Sequence, residues 1–387
     1  MSALTPLSLG SLLSRPAAKS TLPKRKLFKW LPDGTLELRI DWSSIESFLS
    51  CNRSAEYKLV HSRTSAPRSA LVFGAAFHSA LEVWYRLKAN IDNPCHPVSY
   101  ELLLPGDPLI EAGGSIILTK ENIVQLGIQM IDKTYAEYPS NFIADYRTSE
   151  FCVECFLKYL KHYDQEQLVV ASYEKAELVE FSFAMPLGMA EINSDIFHKY
   201  GYGMLTDNEA LERAYDVVSE CKPIPVKLDW TGIIDLVCHT NNAYWVVDHK
   251  TSSINSDGFF DGFEIAMQPT GYVTAARAAL PDLNIKGFMV NAAICRKPTK
   301  TATSFEAHRR FYEYSKENED EFKLNVLYIV EEFLANLTNG YFPMKTNWCI
   351  GKYGKCPYFE VCTLPQKSRL DMLNSSAYTD NTWKPVT

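Results

Sequence analysis

The sequence predicts an α/β protein with a central mixed sheet flanked by helices, on three observations. Residues 43–60 and 74–88 carry apolar side chains at helical intervals, and the period turns towards two from Ala176. Two apolar runs, Val226 to Thr240 and Ala243 to Ser252, are then separated by Asn241-Asn242, a pair suited to a tight hairpin turn.

The elements follow in chain order. Ser43 and Glu46 have capping-box spacing, so a helix is expected to start at Ser43 and run through Ile45, Phe48, Leu49, Leu59 and Val60, with Cys51 partway along. A second helix, Gly74 to Lys88, packs through Phe77, Leu81, Trp84 and Leu87, with His78 beside that stripe. Residues 92–170 read as a mostly helical insertion with a loop at Pro94 to Gly114. From Ala176 a strand places Leu178, Glu180 and Ser182 on one side and Val179, Phe181 and Phe183 on the other. Gly188 to Lys222 is poorly patterned. Residues 1–37 and 367–387 read as flexible tails around a folded domain at 38–366.

Composition sets limits on function. With 387 residues, 46% hydrophobic and 22% charged, the chain is an ordinary globular protein of about two domain lengths, or one domain with insertions. A net charge of −7 argues against coating nucleic acid by bulk charge, so any such contact is local. The segment before Asp33 has no acidic residue and five Ser, and reads as a disordered basic arm rather than an organellar transit peptide. No apolar run is long enough to span a bilayer, and the expected compartment is reducing and cytoplasmic.

In a reducing compartment the spacing of the ten cysteines matters more than their number. Cys95, Cys221, Cys238 and Cys295 are scattered. Cys152 and Cys155 form a CxxC within an expected helix, Glu150 to His162, without a knuckle or a second pair. Cys51 stands far upstream of a trio, Cys349, Cys356 and Cys362.

With Asn241-Asn242 as the turn, Thr240 faces Ala243, and counting outward sets Asp235 opposite Asp248 on one face with Lys250; Val247 and His249 turn away. Opposed like charges destabilise a ladder unless something neutralises them, and a divalent cation would. The other reading is an exposed polar pair with Lys250 as surface counter-ion. The apolar residues on both faces, Ile233, Ile234, Leu236, Val237, Val246 and Val247, favour a buried strand. Two carboxylates and an ammonium around a hard cation, Mg²⁺ or Mn²⁺, suit phosphodiester hydrolysis.

The order His78, Gly232-Ile233-Ile234-Asp235, Asp248-His249-Lys250 and Gln268 to Tyr272 resembles the PD-(D/E)xK nuclease superfamily, in its RecB-like exonuclease branch, over about residues 40–365. The resemblance implies a restriction-endonuclease-like core. In it Asp235 and Asp248 are metal ligands, Lys250 is catalytic, His78 is a further ligand, and Gln268 and Tyr272 contact the substrate; Glu180 matches an acidic position of some members. Gln268 and Tyr272, four apart, share a helical face, and Pro269 suits the first helical position.

The cysteines carry a second resemblance, to the AddB-type, CRISPR-adaptation and phage exonucleases whose four cysteines, one before the core and three after, hold a 4Fe-4S cluster. It implies that Cys51, Cys349, Cys356 and Cys362 clasp the domain ends around a structural cluster, with zinc as the other occupant their thiolates suit. Six residues separate Cys349 from Cys356, where that family often has two; Gly351 and Gly354 would let the longer loop curl.

The resulting expectation is a Mg²⁺- or Mn²⁺-dependent DNA exonuclease of repair, recombination or phage DNA metabolism. Its rivals are a non-catalytic DNA-end-binding or assembly subunit and a structure-selective endonuclease. Arg296, Lys297 and Lys300, or Lys345, Lys352 and Lys355, are candidate backbone contacts. Without a GxxxxGK[ST] phosphate loop, unwinding would fall to a helicase or recombinase on another chain.

Overall fold

The computed structural model describes residues 26–92, 119–138, 145–174, 176–201, 204–205, 223–299, 303–351 and 354–381. The loop at Pro94 to Gly114, Cys95, Cys221, Lys300 and Lys352 lie outside them.

The longer strands of the central sheet are β1 (Phe28–Trp30), β2 (Leu36–Ile40), β3 (Val179–Asn193), β4 (Pro223–Thr240), β5 (Ala243–Ser252), β6 (Ile285–Cys295) and β7 (Phe305–Glu313), and the two-residue Val169–Val170 also pairs with β4. Their order is β1-β2-β4-β5-β6-β7, with β3 also on β4. The β2/β4 and β5/β6 pairs are parallel and the others antiparallel, so the sheet is mixed.

Helices cover both faces. On one lie α1 (Trp42–Ser50), α5 (Met267–Ala279) and α6 (Lys316–Asn339), packed on Phe183, Trp230, Ile234 and Val290. On the other lie α2 (Ser69–Asp92), α3 (Lys120–Ala136) and α4 (Ser149–His162), packed on Val179, Leu236, Val247 and Met289. Burial on both faces explains the near-continuous apolar runs of β4 to β6. The segment expected as an insertion before the core therefore supplies much of one helical layer. Its CxxC is core, with Cys152 and Cys155 fully buried on α4.

Several expected boundaries are corrected. Residues 28–37 are not tail: β1 and β2 extend the sheet and bury Phe28, Leu36 and Leu38. Past residue 366 the chain forms α7 (Gln366–Leu373) and a strand, Tyr378–Asp380, that pairs with Arg63–Ser65 and brings Asp380 to Arg63 at 3.0 Å. The first helix starts at Trp42, because Asp41 rather than Ser43 caps it by accepting from Ser44 N. It ends before Cys51, whose extended backbone (φ −165°, ψ 119°) breaks the run into α1 and a second turn at Asn52–Ala55. The second helix is longer than Gly74 to Lys88. The poorly patterned stretch from Gly188 begins with the end of β3, which runs to Asn193.

Candidate active site

The hairpin folds as its turn pair dictates. Asn241 and Asn242 both take left-handed backbone, φ 50° and 58°, and the ladder runs from Thr240↔Ala243 to Leu236↔Val247. There it stops, one step short of Asp235 and Asp248. Beyond that point β4 stays with β3, at Ile234↔Phe181, while β5 runs along β6, at Asp248↔Val290 and Lys250↔Ala292. The two carboxylates thus sit in the fork where the strands part.

The unpaired backbone of the fork organises the site. His249 N donates to Asp235 Oδ2 at 2.7 Å, and His78 Nδ1, from α2, lies 3.5 Å from the same oxygen. Lys250 Nζ is 2.7 Å from Asp248 Oδ2 and donates to Gln268 Oε1 at 3.3 Å; Gln268 Nε2 in turn donates to Tyr272 OH at 3.3 Å. Gly232 makes room for this: a Cβ there would lie 2.8 Å from the Phe183 ring and 3.2 Å from that of Tyr272.

Asp248 is only 4% exposed, which removes the surface-pair reading of the hairpin. Its Oδ2 is buried without a well-aligned hydrogen bond, so its contact with Lys250 is ionic. Burial and then repulsion from Asp248 push the Asp235 carboxyl up to about 8, against the His249 N–H bond. Burial would lower the Lys250 ammonium, but Asp248 and Asp235 outweigh it and hold it above its ordinary value. Burial lowers His78 despite the pull of Asp248, leaving a neutral imidazole.

Glu180 departs from the strand pattern. It stands between the Val179↔Leu236 and Phe181↔Ile234 pairs, across from Asp235, in left-handed backbone with φ 51°. The expected alternation fails around it, since Leu178 and Val179 are both buried, as are Ser182 and Phe183. Such a conformation costs a non-glycine residue about 1 kcal/mol or more and marks sites where function holds the backbone. Glu180 lines the same cleft as His78, Asp235 and Lys250.

Sequence reasoning missed Glu82, which lines this cleft four residues after His78 on α2. The i,i+4 spacing on one helical face was the available signal. Gln268 lies against Lys250 and Tyr272 against Gln268, with Tyr272 buried. Pro269 lies two residues inside α5, which starts at Met267.

The four cysteines also converge from the two ends of the fold. Cys51 Sγ accepts from Lys345 N at 3.4 Å, and Cys356 N donates to Cys349 O at 2.8 Å. Between the latter two, Ile350–Gly351 pairs with Gly354–Lys355, so a small hairpin fills the long gap, with Gly354 at φ 97°. Cys356 and Cys362 border a cluster of Tyr57, Tyr358, Val361, Leu373 and Tyr378. Burial raises both thiols, and Cys51 pushes each further. None of the four is in a disulfide.

Among the described residues, no three His, Cys, Asp or Glu side chains are spaced to hold a metal ion as they stand. The donor chemistry nevertheless fits both expected groups. A buried carboxylate paired with an ammonium, beside a second carboxyl and a neutral imidazole, suits a hard divalent cation; four thiols free of disulfides suit a thiolate-bound cluster.

The candidate phosphate-backbone groups are partly engaged: Arg296 with Glu306, Lys355 with Glu360, and Lys345 with the carbonyls of Phe48 and Leu49. No helix among the described residues is long and apolar enough to cross a membrane.

A mixed sheet between two helical layers, with acidic residues and a lysine where its strands fork, is a restriction-endonuclease-like α/β core. The model of the PD-(D/E)XK nuclease superfamily matches residues 40–363, and the chain belongs to that superfamily. A crystal structure from Eubacterium rectale, described as a candidate exonuclease, aligns over 87% of this chain and 93% of that one at 12% identity, with a TM-score of 0.36. No curated protein matches the sequence.

Proposed function

We propose that the chain is a metal-dependent DNA exonuclease, with Asp235 and Asp248 holding Mg²⁺ or Mn²⁺, His78 and Glu180 completing the ligand set, and Lys250 catalytic. The observation that carries this reading is the fork itself. It sets the buried Asp248 carboxylate 2.7 Å from the Lys250 ammonium, with Asp235 near enough for its charge to raise that ammonium further. Superfamily membership supports nuclease chemistry. The preference for DNA ends, and a setting in repair, recombination or phage DNA metabolism, rest on the sequence resemblance.

When bound, the cation would polarise the phosphoryl oxygen and activate a water for attack. The chain's own groups do the rest. Lys250, kept protonated by Asp248 and aimed by Gln268, offsets negative charge developing on the phosphate. His78, neutral, offers a nitrogen lone pair to the ligand set. The His249 N–H fixes one Asp235 oxygen and leaves the other for the cation.

Cys51, Cys349, Cys356 and Cys362 would hold a 4Fe-4S cluster, or zinc, in a structural role. Their convergence from positions about 300 residues apart supports that reading, because such a link would strongly restrict the unfolded chain.

The test is cleavage of end-labelled linear DNA with Mn²⁺ by the wild type and by Lys250→Ala. Loss of cutting in K250A with DNA binding kept supports the enzyme. No cutting by the wild type supports the DNA-end-binding rival.

A further inference from the structure

The central residue of the Asp248-His249-Lys250 triplet is 3% exposed, its ring centroid 5.9 Å from that of His78. His249, Asn291 and Arg309 are in register on β5, β6 and β7 and form one polar row across three strands. Arg309 Nε donates to Asn291 Oδ1 at 3.2 Å, which sets the amide so that Nδ2 faces His249 Nδ1 at 2.7 Å. That nitrogen is therefore the acceptor, and the ring proton sits on Nε2.

The helices behind close the row. Tyr85 of α2 stacks on the His249 ring, with centroids 5.4 Å apart and planes 10° apart. Its hydroxyl lies 2.6 Å from Tyr159 OH, which accepts from Asn291 Nδ2 at 2.6 Å. Arg309 Nη2 reaches Tyr85 OH, Tyr159 OH and Glu166 Oε2 at 2.9, 3.2 and 2.6 Å, and its guanidinium lies 3.7 Å from the Tyr163 ring centroid.

A buried polar row adds little net stability over an apolar core of the same shape; its attested use is to specify one arrangement. What this row specifies is the backbone of His249. That backbone donates to Asp235 and bonds His78, and it lies between Asp248 and Lys250. We infer that Asn291 and Arg309 are positioning residues for Asp248 and Lys250, acting through the clamped His249 ring to hold β5 in the fork. This inference rests on the hydrolytic reading of the site.

Displacing catalytic groups by about 1 Å can cost on the order of 10²-fold in rate. Asn291→Leu keeps shape and removes all three hydrogen bonds, to His249, Tyr159 and Arg309. Its kcat on end-labelled DNA should fall about 10- to 100-fold, with KM within about twofold of wild type. Asn291→Asp, whose carboxylate accepts from Arg309 and from the other His249 tautomer, should recover most of that rate. Tyr159→Phe is the second, milder variant, in case N291L does not fold.

The readout independent of cutting is amide hydrogen exchange in metal-free protein. N291L should exchange residues 248–250 about 10- to 100-fold faster, with residues 224–234 of β4 unchanged and N291D like wild type. Exchange raised across the whole sheet, or unchanged at 248–250 in both N291L and Y159F, overturns the positioning role. Wild-type protein that neither binds Mn²⁺ nor cuts, with the local exchange effect present, sinks the hydrolase reading and leaves the clamp standing.

Discussion

Replacing Asp235 with Asn, which removes the charge and keeps the shape, should stabilise the metal-free protein. Burial and Asp248 push this carboxyl from an ordinary 3.8 up to about 8. A raised folded-state pKa means that stability is intact below about pH 4 and is lost as pH rises through about 8. At pH 8 the folded state therefore opposes ionisation by on the order of 5 kcal/mol, taking about 1.4 kcal/mol per pH unit. Water reaches this 15% exposed side chain and screens the repulsion, so the expected gain from D235N is about 2 kcal/mol. Spread over the unfolding entropy of 387 residues, that raises Tm by about 2–3 °C. The assay is thermal unfolding in EDTA at pH 5 and pH 8, with the gain larger at pH 8. Saturating Mn²⁺ reverses the order, since wild type gains about 2.7 kcal/mol at a hundred times Kd while the variant lacks a ligand. A lower Tm for D235N in EDTA at pH 8, or a gain that ignores pH, refutes the reasoning.

Four further outcomes are expected. Mn²⁺ affinity, followed by fluorescence competition, should fall by up to about tenfold per pH unit below pH 8, because the cation must displace the Asp235 proton. Anaerobically purified protein should be brown and lose its colour and several degrees of Tm in Cys51→Ser; colourless protein with bound zinc would replace the cluster. Gly232→Ala should cost about 1–3 kcal/mol in denaturant unfolding, since its Cβ meets the Phe183 and Tyr272 rings. Closed circular DNA should survive an incubation that degrades linear DNA; nicking of the circle would establish the endonuclease rival.

The hairpin was legible because its information is local. Asn241-Asn242 sets the turn, the turn sets the register, and the register holds as far as Leu236 and Val247, the neighbours of Asp235 and Asp248. The strand exchange that opens the fork was not, because it depends on which neighbours β4 and β5 each choose, and that choice is tertiary. Glu180 illustrates the same limit: period two is a local rule, and a left-handed residue inside β3 breaks it. The early tail was misjudged because β1 and β2 are only three and five residues long and draw their stability from the sheet, β1 pairing with β2 and β2 with β4. The row behind the site was invisible for a related reason, since His249, Asn291 and Arg309 are adjacent only across strands.

The most direct measurement is a count of Mn²⁺ bound per chain by electron paramagnetic resonance, in wild type, Asp235→Asn and Asp248→Asn. One site in wild type, lost in each variant while the protein stays folded, is the outcome the two converging carboxylates require. The same occupancy in all three proteins would contradict it.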